Sequence, residues 1–256
     1  MFRLSKHCFL LYNTLQKGSV KMENRYASRI EKVQMSSIRV VMEKVEKLRS
    51  QGKSVVSLCA GEPDFNTPEG IKKATIEALN DNQTHYSSNR GYLGLRKKVA
   101  HLLKEQTTID YDSDTEIIMT CGCSEAINNV CQAFINKDDE VIIFTPAFVS
   151  YQNTVLLCQG IPVEIPLKLS LGFQIDIEEV KNKITKKTKM IILNNPNNPT
   201  GAVYQKETLE QLCKLARENN ILILADEIYN QLDYENQYVS IASFENMKDY
   251  TIIVNG

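Results

Sequence analysis

The chain has 256 residues, 43% of them hydrophobic and 24% charged, with a formal net charge of -1. A balance so close to zero creates no global field to gather nucleic acid or an anionic membrane surface, and no apolar run reaches the roughly 18 residues a membrane helix needs. The seven cysteines, odd in number and scattered from Cys8 to Cys213, fit small packed thiols in a reducing compartment better than a disulfide framework, so the cytoplasm is the expected location.

Residues 1–21 hold Arg3, Lys6, Lys17 and Lys21 and no acid. They read as a mitochondrial transit segment or as an extension ahead of a second start-like methionine, Met22; the second reading is preferred. Ile38, Val41, Met42, Val45 and Leu48 recur at helical spacing, with Arg39, Glu43, Lys44 and Lys47 on the other side. This predicts an amphipathic helix that ends near Gly52. Val55-Val56-Ser57-Leu58 then leads to the turn Gly61-Glu62-Pro63-Asp64-Phe65, where Gly61 lets a ligand approach the backbone closely. A second helix is predicted after Thr67-Pro68-Glu69, with proline suited to a first turn, and a third carries Leu95, Val99, Leu102 and Leu103. Between them, residues 84–92 are polar and aromatic, and His85 and Tyr86 are expected in a loop outside the core.

From Glu116 onward short apolar runs recur: Ile117-Ile118-Met119, Val141-Ile142-Ile143-Phe144, Ile161-Pro162-Val163-Glu164-Ile165, Met190-Ile191-Ile192-Leu193, Ile221-Leu222-Ile223-Leu224 and Thr251-Ile252-Ile253-Val254. Most are continuous rather than alternating, as parallel strands covered on both faces should be. Helical stripes fall between several of them: Ala126, Ile127, Val130, Cys131 and Phe134 form one, and Leu209, Leu212, Leu215 and Ala216 another. The alternation predicts an α/β fold with a mostly parallel sheet covered by helices.

In such a sheet, ligands bind beyond the carboxyl ends of the strands. After the fourth run comes Asn194-Asn195-Pro196-Asn197-Asn198-Pro199-Thr200-Gly201, a turn stiffened by two prolines, in which Asn198 is pushed toward extended backbone. Its amide offers both a donor and an acceptor to a ligand. After the first run comes Thr120-Cys121-Gly122-Cys123-Ser124-Glu125, opening a helix. A tight glycine turn and a helix start suit a phosphate, although an ordinary N-cap by Ser124 reads equally well. Phe148, after the second run, is either a ring-stacking face or core. Asp226 follows four apolar residues, so its carboxylate is costly unless it meets a cation or several donors. Tyr229 points a phenol toward the same place. Metal binding by Asp226-Glu227 is a weaker rival, and so is a zinc site at Cys121-Gly122-Cys123, which has no second ligand pair. An anion cradle, a stacking face, an amide, a buried acid and a phenol would together suit a phosphorylated aromatic cation such as pyridoxal phosphate.

In this order, Gly61-Glu62-Pro63-Asp64-Phe65, Asn197-Asn198-Pro199-Thr200-Gly201 and Asp226-Glu227-Ile228-Tyr229 resemble the class I/II aminotransferases of the fold-type I pyridoxal-phosphate superfamily, in their bacterial aspartate-aminotransferase-like branch. The likeness runs from about Ser36 to Gly256. It implies an N-terminal arm at residues 1–35, the N-terminal part of a small domain at 36–66 and a cofactor-binding large domain at 67–256. It also implies that Gly122, Cys123 and Ser124 hold the phosphate, Cys123 through its backbone only. Phe148 would stack on the ring, where many relatives have Trp or Tyr. Asn198 and Tyr229 would bond its phenolic oxygen, and Asp226 would pair with its nitrogen. Gly61 would lie near the substrate carboxylate. Tyr86 would reach the phosphate of a neighbouring subunit, hence a homodimer. Amino acids and 2-oxo acids are the implied substrates, with no nucleic acid and no membrane partner.

In that family the strand matching residues 251–254 leads into a Ser-x-Lys segment whose lysine forms the Schiff base, and the sequence ends at Asn255-Gly256. No catalytic residue is therefore assigned. The chain is expected to be an N-terminal fragment, incomplete at its C-terminus and inactive alone. A further antiparallel strand is implied between the first run and the last. Lys189 and Lys248 stand at strand entrances, the wrong edge to substitute for the missing lysine. The alternatives are a non-catalytic ligand-binding or dimerising remnant, or a carbon–sulfur lyase using the same cofactor. A nicotinamide enzyme is disfavoured, since no Gly-x-Gly-x-x-Gly follows the first run.

Overall fold

The computed structural model describes residues 27–33, 37–59, 61 and 65–256, with the backbone alone at 37–39. The expectations for residues 1–21 and for Glu62-Pro63-Asp64 lie outside the described residues. The chain divides into two units, residues 1–33 and 34–256. Of the first, the described part is a short 3-10 helix, Ser28–Lys32.

The second unit is built on five parallel strands: β1 (Glu140–Thr145), β2 (Ile161–Pro166), β3 (Thr188–Asn194), β4 (Leu222–Asp226) and β5 (Thr251–Val254). Their spatial order is β2-β1-β3-β4-β5. Among the described residues seven α-helices accompany them: α1 (Ser37–Ser50), α2 (Glu69–Asn80), α3 (Leu93–Thr107), α4 (Cys123–Phe134), α5 (Val149–Leu157), α6 (Ile177–Lys183) and α7 (Lys206–Glu218). The apolar strand runs are continuous because alternate residues feed two cores. Ile142, Phe144, Ile191, Leu193, Ile223 and Ala225 pack with Val180 of α6 and with Leu209, Leu212 and Ala216 of α7. Val141, Ile143, Met190, Ile192, Leu224 and Val254 pack instead with Ile127 and Cys131 of α4 and with Tyr151 and Val155 of α5. Both sheet faces are thus dry, as parallel sheets require. The helices that cover the sheet, α4 to α7, each bury residues against it, whereas α2 buries none. In α6, Asp176 caps the start by accepting from the Glu179 N–H at 3.3 Å, with acids in the first turn and lysines in the last.

One expectation is corrected. Ile117-Ile118-Met119 is not a strand. It joins no ladder, and Met119 N–H donates to the carbonyl of Arg90 at 3.0 Å. Ile117 is buried while Ile118 is 64% exposed. An apolar run becomes a strand only where another edge takes its backbone groups, and none of the five described strands pairs with this one. The amphipathic helix expected before Gly52 is present as α1. Val41 is 44% and Met42 39% exposed, so the amphipathic pattern is real but the apolar side is largely uncovered among the described residues. No described helix is long and apolar enough to cross a membrane.

The strand order sets the site. From β1 the chain steps outward to β2, then crosses back over to β3 and on to β4 and β5. The reversal falls between β1 and β3, the switch point at which α/β sheets open a crevice beyond their carboxyl ends.

Candidate active site

Beyond that switch point lies a cavity of about 290 Å³. Gly122, Cys123, Ser124, Phe148, Asn198, Asp226 and Tyr229 all line it, together with Cys121, Ile127, Tyr151 and Ile228. Residues far apart in sequence, and singled out for the turns that carry them, therefore share one space. Gly61 and Tyr86 do not line it. Gly61 is exposed, and Tyr86 is fully exposed.

Each wall follows from its element. At α4, Gly122 takes the N-cap position with φ 81°, a left-handed value that glycine adopts freely. The helix starts at Cys123, so Ser124 lies inside the first turn and is not the cap. Glu125 turns back and accepts from the Cys121 N–H. The first N–H groups of α4 have no intrahelical acceptor and open on the cavity at the positive end of the helix. After β1, the Thr145-Pro146 peptide is cis, and Phe148 caps α5 at its N-terminus. Phe148 packs edge-on against Tyr151, with ring centroids 5.7 Å apart and planes at 81°. After β3, the Asn-Pro turn is held by its own amides. Asn195 Oδ1 accepts from the Tyr204 N–H at 3.0 Å, and Asn197 Oδ1 from Thr200 Oγ1 at 2.7 Å. Asn198 Nδ2 donates to the Tyr229 hydroxyl at 3.2 Å, so amide and phenol meet at one point.

Asp226, the last residue of β4, is 4% exposed. The Tyr151 hydroxyl donates to its Oδ2 at 2.6 Å, and the Ile228 N–H to its Oδ1 at 3.3 Å. Tyr151 escaped the sequence reading. Its one local signal is the three-residue spacing from Phe148, and nothing local points to a partner 75 positions away. Glu227 does not join Asp226 in a common site. It is 2% exposed and accepts from Ser240 Oγ at 2.8 Å, while its N–H ties to the carbonyl of Val254 at 2.8 Å. The pair of acids therefore serves two separate purposes, which removes the metal reading based on them.

Burial pushes the Asp226 carboxyl above the usual carboxylate range, against the opposing pull of the Tyr151 and Ile228 donors. Burial, and then the negative charge of Asp226, push the Tyr151 phenol up, so it stays a donor. The same two causes raise the Cys123 thiol. Among the described residues the lining contains no lysine, arginine or histidine, so none of these places a cation beside this buried carboxylate. A buried carboxylate in such a place is costly unless a cation or further donors meet it.

A stability consequence follows. A carboxyl whose folded pKa is raised binds more protons folded than unfolded. Its favourable contribution is therefore present at low pH and is lost as pH rises from the unfolded value, about 4, through the raised folded value. Asp226→Asn keeps an acceptor for Tyr151 and cannot ionise. In the ligand-free chain at pH 7 it is expected to be more stable than wild type by about 1 kcal/mol, the ordinary scale for one buried polar group. The gap should close below about pH 4. Urea midpoints measured across that range check this.

Comparison with known proteins agrees with the geometry. The family model for aminotransferase class I and II matches residues 53–256. The chain is 37% identical over 236 residues to a probable aspartate/prephenate aminotransferase of Aquifex aeolicus (strain VF5), covering 91% of this chain and 60% of that one. It is 39% identical over 237 residues to an aspartate aminotransferase of Bacillus sp. (strain YM-2), covering 92% and 60%. Among solved structures, an aspartate aminotransferase from Thermus thermophilus with maleate superposes with a TM-score of 0.86 at 38% identity, over 90% of this chain and 60% of that one. The chain thus spans about 60% of the length of these relatives. A match over this much of the sequence, on a parallel sheet with a shared cavity at its switch point, makes the chain a member of the class I and II aminotransferase family.

Proposed function

We propose that the cavity holds pyridoxal 5'-phosphate and that the protein moves an amino group between an amino acid and a 2-oxo acid. One observation carries the reading: a buried carboxylate, an amide–phenol pair and a helix N-terminus face each other across a single crevice. When bound, the cofactor supplies an electron sink for charge released at the substrate carbon, provided its ring nitrogen stays protonated. Asp226 holds that proton in place, and Tyr151 fixes the orientation of Asp226. Asn198 and Tyr229 together hold the phenolic oxygen. The N–H groups and hydroxyl of residues 122–124 hold the phosphate dianion, and Phe148 covers one ring face. Gly61 lies toward the substrate carboxylate. Tyr86, exposed on its loop, serves the phosphate site of a second copy, which makes the assembly a homodimer. Residues 36–66 belong to a small domain and 67–256 to the cofactor-binding domain. The cytoplasm is the fitting compartment.

Pyridoxine 5'-phosphate tests this cleanly, because it lacks the aldehyde and forms no imine with surface lysines. Saturable binding is expected, seen as induced circular dichroism in the ligand band. Pyridoxine without phosphate should bind at least about tenfold more weakly, since each charge-assisted bond to the phosphate contributes about 1.5–3 kcal/mol. Absence of induced dichroism, or equal binding of the two compounds, would remove the cofactor reading.

A further inference from the structure

Asn194 closes β3, where it pairs in register with Asp226 of β4, and it is 4% exposed. It does not line the cavity. Its amide nevertheless joins two residues that do. Nδ2 donates to the carbonyl of Asp226 at 2.9 Å, and Oδ1 accepts from the N–H of Asn198 at 2.7 Å. The amide is planar and rigid, so both bonds are set by one side-chain orientation. Asp226 also accepts at its carbonyl from the Asn195 N–H, at 3.1 Å, so the Asn194 bond is additional to the sheet's own ladder.

We propose that Asn194 is a positioning residue that fixes the separation between Asp226 and Asn198, and with it the two ends of the ring they grip. This rests on the reading of the cavity as a pyridine-cofactor site. Asp226 ends β4 and Asn198 lies four residues beyond the end of β3; Asp226 is also tied to Tyr151 and to the Asn195 N–H, and Asn198 to the Tyr229 hydroxyl, but the Asn194 amide bonds to both residues at once. A shift of one relative to the other would let the ligand satisfy the carboxylate or the amide–phenol pair, but not both. Two neighbours show what a merely structural asparagine does here. Asn195 and Asn197 are as deeply buried, yet their side chains bond to Tyr204 and Thr200 inside the same turn and reach no second strand.

The test uses the full 256-residue chain and pyridoxine 5'-phosphate labelled with nitrogen-15 in the ring. The ring-nitrogen shift reads the grip of Asp226. The phenol-to-phenolate absorption reads the grip of Asn198 and Tyr229. Asn194→Leu removes both bonds, and Asn194→Asp, a second variant in case the first does not fold, removes the donor to Asp226. About tenfold weaker binding is expected for each, the scale of one buried hydrogen bond. Both signals should move together in Asn194→Leu. Tyr151→Phe, which removes the hydroxyl bond to Asp226 and keeps the ring against Phe148, should move the nitrogen signal only. Asn195→Ala should lower the urea midpoint and leave both signals in place. Wild-type affinity and signals in the Asn194 variants would overturn the proposal, as would an equal disturbance in Asn195→Ala, which would mean that turn integrity alone matters. A wild-type chain that fails to bind would overturn the cofactor reading and this proposal together.

Discussion

Asp226→Ala is expected to weaken pyridoxine 5'-phosphate binding by about two orders of magnitude. The carboxylate is 4% exposed and raised in pKa by burial, and among the described residues no lysine, arginine or histidine lines the cavity around it. A protonated ring nitrogen would therefore be its principal opposite charge. Breaking a buried ion pair by removing one partner costs about 3–5 kcal/mol, because the surviving charge is left desolvated. At about 1.4 kcal/mol per decade, the lower end of that range is already a hundredfold. The same substitution relieves the ligand-free fold of an unpaired buried acid, so binding and stability should move in opposite directions. Isothermal titration beside urea unfolding separates the two. Equal affinity of Asp226→Ala and wild type would place the ring nitrogen elsewhere. Asp226→Asn should fall between them, since the amide oxygen keeps an acceptor for Tyr151 while the charge and the second acceptor, for the Ile228 N–H, are lost.

Much of this site was legible because the fold concentrates it at predictable places. Parallel strands dry on both faces read as continuous runs, and β1, β3 and β4 appear in the sequence as Val141-Ile142-Ile143-Phe144, Met190-Ile191-Ile192-Leu193 and Ile221-Leu222-Ile223-Leu224. Once the runs are placed, the polar residues just after them are candidates by topology alone, which is how Asn198 and Asp226 were found. The failures have a common cause. Apolarity reports what a segment would bury, not whether a partner edge or face is there to bury it. Ile117-Ile118-Met119 reads as a strand and has no ladder, and Val41 and Met42 on the apolar side of α1 are exposed. Tyr151 carries no site signal in the sequence, and Asn194 reads only as part of its turn, for the complementary reason. Each acts through a hydrogen bond to Asp226, 75 and 32 positions away, and a linear pattern carries no trace of such a pairing.

Ile191→Ala is expected to cost about 4 kcal/mol of stability, while Ile118→Ala should stay within about 0.5 kcal/mol of wild type. Both are isoleucines in short apolar runs, so the sequence ranks them alike. Ile191 has no exposed surface and stands in the middle of β3, in register with Ile142 on one side and Ile223 on the other. All three belong to the same packed cluster. Truncation there loses the transfer free energy of the removed methyls and methylene, and it leaves a void that a strand clamped between two others cannot close. Ile118 is 64% exposed, so its side chain already meets solvent in the folded chain. Against a total of about 5–15 kcal/mol for a domain, the first change consumes a large share of the margin and the second almost none. With a urea slope of about 2 kcal/mol per molar, the midpoint of Ile191→Ala should fall by about 2 M. β3 also delivers the turn that bears Asn194 and Asn198, so ligand added in excess should recover part of the lost midpoint by mass action. A comparable loss in Ile118→Ala would mean that residues 117–119 are packed against a partner after all, and it would overturn their placement outside the sheet.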